Sequence, residues 1–300
     1  MHDRGHLLTE QRHPSSAGLD TLPLADAFDL MNREDASIAA AVAAAKPSIL
    51  AAIELVSDAL ARDGRLIYVG AGTSGRLGVL DAAECPPTFL IPPDRVLGII
   101  AGGREALWAA QEGAEDDADA GRRAVDEHRI GTGDVVFGIA TGGTTPFVHA
   151  ALDRSRERGA ATVFLACVPR DEAADRADVS IRVLTGPEVL TGSTRLKAGL
   201  ATKMVLNTVS TLAMVRLGKV YENLMVDVAA RACDKLRDRA VRTLMAAAGL
   251  PRDAAQRLLD QADWHVKTAI VMHRLGIAAP EAQRRLALCA GSVRRAIRAG

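Results

Sequence analysis

Aromatic residues are scarce in this chain: two Trp, two Tyr and five Phe make up 3% of 300 residues. A platform that stacks single-stranded nucleic acid needs such rings, so that class of function is disfavoured. Net charge is missing too, because 37 Lys and Arg balance 37 Asp and Glu. Binding to a phosphate backbone draws on a basic excess or stripe. The nearest thing here is "SVRRAIRAG" at the end, which reads as a solvated helix end. The four cysteines, Cys85, Cys167, Cys233 and Cys289, lie far apart with no C-x-x-C pair. That spacing suggests neither a zinc site nor a redox motif, and sparse cysteine fits a reducing compartment. The opening "MHDRGHLLTEQRHPSS" lacks the apolar core of a signal peptide. No apolar run approaches the roughly 20 residues that span a bilayer. The expectation is a cytoplasmic protein.

Several catalytic signatures are absent as well. There is no G-x-x-x-x-G-K-[ST], no G-x-S-x-G and no H-E-x-x-H or H-x-x-x-H. A P-loop enzyme, a serine hydrolase and a histidine-based metal site are therefore not indicated. His149, His265 and His273 read as structural or surface residues. What remains is an ordinary globular composition, 48% apolar and 25% charged. The length suits one large domain or two modest ones.

Five short Val/Ile-rich runs alternate with helical stretches. "RLIYVG", "RVLGIIAG", "DVVFGIAT", "ATVFLACVP" and "VSIRVLTG" read as strands. Their continuous apolar character predicts an α/β fold, a parallel sheet covered by helices on both faces. Ahead of them, residues 23–64 read as helices. Ile49, Ile53, Val56 and Leu60 form an amphipathic stripe, and Pro47 opens that helix in its first turn. The run 105–128 reads as one helix interrupted at Gly113, and "STRLKAGLATKMVLNTVSTLAMVRLG" as a long apolar one. Beyond about residue 240 the strands stop and three short helices are expected. The predicted division is a domain over 1–240 with an N-terminal helical extension, and a small helical domain over 241–300.

Ligands of an open parallel sheet bind beyond the C-terminal ends of its strands. Three strands here end in Gly/Ser/Thr loops that lead into helices: "GAGTSGR" (70–76), "TGGTTP" (141–146) and "TGPEVLTGSTRLK" (185–197). Helix N-termini present unpaired N–H donors and a positive dipole end, and hydroxyls add donors without charge. Any one of these loops could be simple N-capping. Together they point to a phosphate-bearing ligand, with Gly72, Thr73, Ser74, Thr141, Gly143, Thr144, Thr191, Ser193, Thr194 and Lys197 as candidate binding residues.

Gly70, Gly72 and Gly75 satisfy the dinucleotide spacing G-x-G-x-x-G. That reading also needs an acidic residue after the second strand to hold a ribose. Gly102, Gly103 and Arg104 stand there instead, so a dinucleotide enzyme is the minor reading. Two carboxylates invite a catalytic role. Glu84 falls just past the first helix pattern, which ends near Leu80, with Pro86 and Pro87 stiffening the chain after it. Glu115 lies in "QEGAEDDADAG". A pair in unlike environments can divide acid and base work. The competing reading is solvated surface, the usual place of Glu.

The stretches "LIYVGAGTSGRLGVLDAAECPPTF", "EGAED", "LTGSTRLKAG" and "LGKVYENLMVDV", with the opening "LTEQRHPSSAGLDTL", resemble the N-acetylmuramic acid 6-phosphate etherase family. The resemblance is strong over residues 8–240. It implies a sugar isomerase (SIS) domain, a five-stranded parallel sheet between helices, followed by a small helical domain. It also implies cleavage of the lactyl ether of N-acetylmuramate 6-phosphate by elimination and hydration, with Glu84 as proton donor and Glu115 as general base. A phosphosugar substrate and a homodimer are implied. Metal ions, organic cofactors, nucleic acid and membranes are not. One departure stands out: SIS loops usually carry serine where this chain has Gly142. A non-catalytic phosphosugar-sensing regulator is the alternative. A DNA-binding regulator of this kind would need an added N-terminal domain, for which residues 1–22 are too short.

Overall fold

The computed structural model describes residues 4–299. They form two compact units. The first comprises the residues up to Ala83 together with Asp94–Ser210, and the second Glu84–Pro93 with Thr211–Gly300. The division falls inside a helix, ahead of residue 240.

The first unit is built on a parallel sheet of β1 (Leu66–Gly70), β2 (Val96–Ile100), β3 (Val135–Ile139), β4 (Ala161–Ala166) and β5 (Val179–Arg182). The spatial order is β2-β1-β3-β4-β5, with every neighbouring pair parallel. Three helices precede it: α1 (Leu24–Ala36), α2 (Ile38–Ala44) and α3 (Lys46–Ala61). Pro47 sits in the first turn of α3, and the stripe Ile49, Ile53, Val56, Leu60 is buried. The sheet alternates its side chains. Ile67 and Val69 point into a core shared with Phe147, Val148 and Leu152 of α6 (Pro146–Glu157). The opposite face, with Tyr68, receives α4 (Gly72–Phe89). On that side the Tyr68 hydroxyl donates to Asp81 Oδ2 at 2.9 Å, and Asp81 also meets Lys203 of α7 (Lys197–Arg216) at 3.4 Å.

Two readings along the chain change. Helix α4 does not stop near Leu80 but runs to Phe89, so Pro86 and Pro87 lie inside it and Glu84 is a helical residue. The prolines forfeit two donors near the end of the helix, where Leu90 N–H still closes the last turn on the Pro86 carbonyl at 2.9 Å. The run 105–128 is not one helix. Two short 3-10 turns, Arg104–Leu107 and Ala114–Asp116, precede α5 (Ala118–Glu127). Gly113 adopts φ of 77° just ahead of the second turn, a left-handed conformation that a continuous helix through this run would not contain. Asp117 then restarts it as an N-cap, accepting from Ala120 N–H at 2.8 Å.

The second unit contains a small hairpin, β6 (Val220–Tyr221) with β7 (Leu224–Met225). Five helices follow: α8 (Asp234–Ala248), α9 (Arg252–Gln261), α10 (Val266–Leu275), α11 (Ala279–Leu288) and α12 (Val293–Arg298). Three were legible in the sequence; α8 and α12 extend them. Leu244, Leu259, Ile270 and Val293 give this unit a core of its own. Within the basic end, Val293–Arg298 form α12, capped by Ser292 and holding Val293 and Ala296 buried.

Among the described residues α7 is the one unbroken helix long and apolar enough to cross a membrane by composition, and 56% of that stretch is buried. Core helices pass the same test. Ala198, Ala201, Val205 and Leu206 supply the buried face.

Candidate active site

The order β2-β1-β3 fixes where a ligand can enter. The chain leaves β1 through α4 toward β2 on one side, and leaves β3 through α6 toward β4 on the other. The loops after β1 and β3 therefore diverge, and open sheets bind their ligands at such a switch point. A cavity of about 250 Å³ lies there. Its walls include Gly72, Thr73 and Ser74 from the first loop, and Thr141, Gly142, Thr144 and Thr145 from the second. Gly192 and Thr194 come from the third, and Glu115 adds a carboxylate.

The first loop owes its shape to glycines that pack rather than glycines that bind. A Cβ on Gly75 would stand 2.6 Å from Ile100 Cγ1 and 2.7 Å from the Gly70 carbonyl oxygen. Gly70 and Gly75 let α4 begin directly against β1, which explains two of the three residues in the dinucleotide spacing. The first turn of α4 then borders the cavity through Gly72, Thr73 and the nearly buried Ser74, the end of a helix where N–H groups lack intrahelical partners. In the second loop, His149 Nε2 lies 2.7 Å from the Gly143 carbonyl, so this nitrogen carries the proton and donates. Its ring packs on Phe164 with centroids 5.1 Å apart. His149 is thus a brace for the loop. A Cβ on Gly142 would find nothing nearer than Thr9 Oγ1 at 3.8 Å, so the position has room for the serine it lacks.

The third loop is organised differently. The N–H groups of Lys197 and Ala198 at the start of α7 donate to the Glu188 carboxylate at 2.9 and 3.0 Å. That helix end is already occupied by an anion. Burial pushes the Glu188 carboxyl up, against the pull of the Ala198 and Lys197 N–H bonds. Lys197 Nζ pairs with Glu34 at 2.9 Å, and Glu34 in turn meets His13 Nε2 at 3.0 Å. Burial raises the Glu34 carboxyl, but the Lys197 and His13 contacts outweigh it and leave it below its ordinary value.

The chain has close relatives among known proteins over nearly its whole length. The chain is 54% identical over 297 residues to N-acetylmuramic acid 6-phosphate etherase of Synechocystis sp., covering 99% of this chain and 97% of the relative. It is 53% identical over 299 residues to the etherase of Synechococcus elongatus, covering 100% and 97%. The chain belongs to the N-acetylmuramic acid 6-phosphate etherase family. Residues 122–212 match the SIS domain, and residues 48–156 the N-terminal SIS domain of glucokinase regulatory protein. Phosphoheptose isomerase from Neisseria gonorrhoeae aligns at 20% identity with a TM-score of 0.45, covering 63% of this chain and 96% of that one.

The candidate residues of this family member fall into distinct places. Gly72, Thr73, Ser74, Thr141, Thr144, Thr194 and Glu115 line the cavity together. Gly143 lines a different hollow beside Ala173. Thr191 is exposed, Ser193 half-buried, and neither lines the cavity. Lys197 is buried against Glu34 and does not reach it. Glu84 is exposed in the last turns of α4, within the stretch that clusters with the second unit, and it is absent from the cavity walls. Sequence reasoning missed Arg4, Leu7 and Glu10, which add a further wall. The opening segment has no periodicity to betray it. Its anchor is Leu7, buried in the sheet core, with Leu8 N–H donating to Glu172 at 2.7 Å.

Other reactive groups nearby are silent. Burial pushes the Cys167 thiol up to about 12, so it stays protonated and supplies no nucleophile. Among the described residues no cluster of His, Cys, Asp and Glu is arranged to hold a metal ion.

Proposed function

We propose that this chain cleaves the D-lactyl ether of N-acetylmuramate 6-phosphate with water, giving N-acetylglucosamine 6-phosphate and D-lactate. The observation that carries the reading is the switch-point cavity, where three hydroxyl-bearing loops meet the carboxylates of Glu115 and Glu10, in a chain of the etherase family. The 6-phosphate is assigned to the first turn of α4 with Thr73 and Ser74, and to Thr141, Thr144 and Thr194. Hydroxyl and amide donors suit a dianion, and the dipole of α4 adds to them.

In the open-chain sugar the C1 aldehyde acidifies the proton at C2. Glu115 takes that proton as the C2–C3 double bond forms and the C3–oxygen bond breaks. An acid delivers a proton to the departing lactyl oxygen, a role that family likeness assigns to Glu84. Water then adds at C3 and a proton returns to C2. Gly143, Thr191, Ser193 and Lys197, which do not line the cavity, are given no contact with the phosphate in this reading. The reaction makes the protein a carbon–oxygen lyase in amino-sugar recycling, acting in the cytoplasm.

A homodimer accompanies this reading. Leu200, Met204, Leu212 and Val215 leave an exposed apolar stripe along α7, and Leu24 and Phe28 do so on α1. A second copy of the chain is the occupant this stripe fits. A monomer's mass in sedimentation would contradict it. The regulator alternative draws on the match to glucokinase regulatory protein, but that match ends at residue 156, whereas the etherase relatives extend over nearly the whole chain.

The test is release of D-lactate from N-acetylmuramate 6-phosphate, with Glu115→Gln and Glu84→Gln as controls. Turnover by the wild type and its loss in both variants is expected. A folded wild-type protein that releases no lactate would sink the reading.

A further inference from the structure

A second cavity, of about 260 Å³, adjoins the first, and Ala71, Gly72 and Glu115 line both. It extends under the segment 106–116, away from the hydroxyl loops. One cation borders it, Arg76 on the second turn of α4. The Arg76 Nε donates to the Leu107 carbonyl at 3.3 Å, which tethers the guanidinium at the cavity. Among the described residues its two terminal nitrogens have no protein acceptor. A half-buried guanidinium with free donors is suited to a planar anion bound two-pronged.

We infer that Arg76 and this second cavity form the subsite for the lactyl carboxylate, the compartment of the leaving group. The inference rests on the etherase reading. That substrate carries two anions, the 6-phosphate and the lactyl carboxylate, separated by C6 to C3, with C2 next to C3 on the aldehyde side. With phosphate on the hydroxyl loops and C2 at Glu115, the arm on C3 has to leave the first cavity. The second cavity starts at that same carboxylate and holds the unpartnered cation. Glu112 and Asp116 also border it, but both are exposed to solvent, which screens them.

The sugar product lacks the lactyl arm, which makes it the control. Steady-state kinetics with N-acetylmuramate 6-phosphate and competitive inhibition by N-acetylglucosamine 6-phosphate are measured for Arg76→Met and Arg76→Lys. Losing a charge-assisted contact lowers kcat/KM about ten- to a hundredfold in Arg76→Met, with a smaller loss in Arg76→Lys. The inhibition constant of N-acetylglucosamine 6-phosphate stays at the wild-type value, which also reports that the variants are folded. Equal weakening of substrate and inhibitor would assign Arg76 to the phosphate and overturn the inference. So would an unchanged kcat/KM in an active enzyme. A wild type that releases no lactate would instead overturn the etherase reading itself.

Discussion

Ser74 illustrates how a single side chain can serve fold or ligand. It stands in the first turn of α4, is nearly buried, and faces the cavity. Among the described residues its hydroxyl finds no hydrogen-bond partner, so its removal has little to take from stability. Ser74→Ala is expected to raise KM about tenfold, as one donor to a charged group is lost, while the melting temperature stays within a degree or two of the wild type. An unchanged KM with a large thermal loss would make Ser74 a structural cap instead. At this scale the sequence was informative about residue type and poor about placement. Thr and Ser in three loops were visible, and seven candidates do line one cavity. That Lys197 is consumed by Glu34, 163 positions away, and that Arg4, Leu7 and Glu10 supply a wall beside loops far along the chain, depends on long-range contacts. Local pattern carries no trace of such contacts.

Whole elements were legible where a period was clean. The five strands and the stripe of α3 follow from apolar runs and three-to-four spacing. Helix α4 shows where the reading fails. Two prolines argue for a stop, yet near the helix end they remove only two of its N–H bonds, and the helix continues to Phe89. Helix α7 presents the opposite case, an element whose start depends on a distant residue. Glu188 is fully buried and its carboxylate takes both the Lys197 and Ala198 N–H groups. Glu188→Ala leaves these donors buried without acceptors, a cost of about 1–3 kcal/mol for each. A melting temperature lowered by several degrees is expected, with Glu188→Gln intermediate because its amide oxygen still accepts. An unchanged melting temperature in Glu188→Ala would show that α7 starts without this cap.

Across the molecule, stability and function draw on different ion pairs. Asp175 is the clearest structural one. Burial raises its carboxyl, but hydrogen bonds from Ser180, the Arg182 guanidinium and the Ala177 N–H outweigh burial and hold it below its ordinary value. A depressed carboxyl in the folded state stabilises above the unfolded value, near pH 3.9, and that contribution is lost as pH falls through the lower folded value. Acid titration of stability is therefore expected to show a loss that begins near pH 4. Asp175→Asn should lower the melting temperature at pH 7 and flatten that acid limb. A variant that keeps the full acid limb would place its origin in other carboxylates.

The division of the chain was the least legible feature. The apolar stripe of α7 runs on past the point where the two units part, so no composition shift marks Ser210. Glu84, adjacent in sequence to the first unit, clusters with the second for the same reason: α4 is continuous across that point.

The central claim, an elimination in which Glu115 handles the proton at C2, is tested most directly by running the reaction in deuterated water. Following it by NMR should show D-lactate and N-acetylglucosamine 6-phosphate in equal amounts, the sugar carrying one deuterium at C2. D-lactate released with the original proton still at C2 would contradict the claim, because the C3–oxygen bond would then have broken without C2 ever losing its proton.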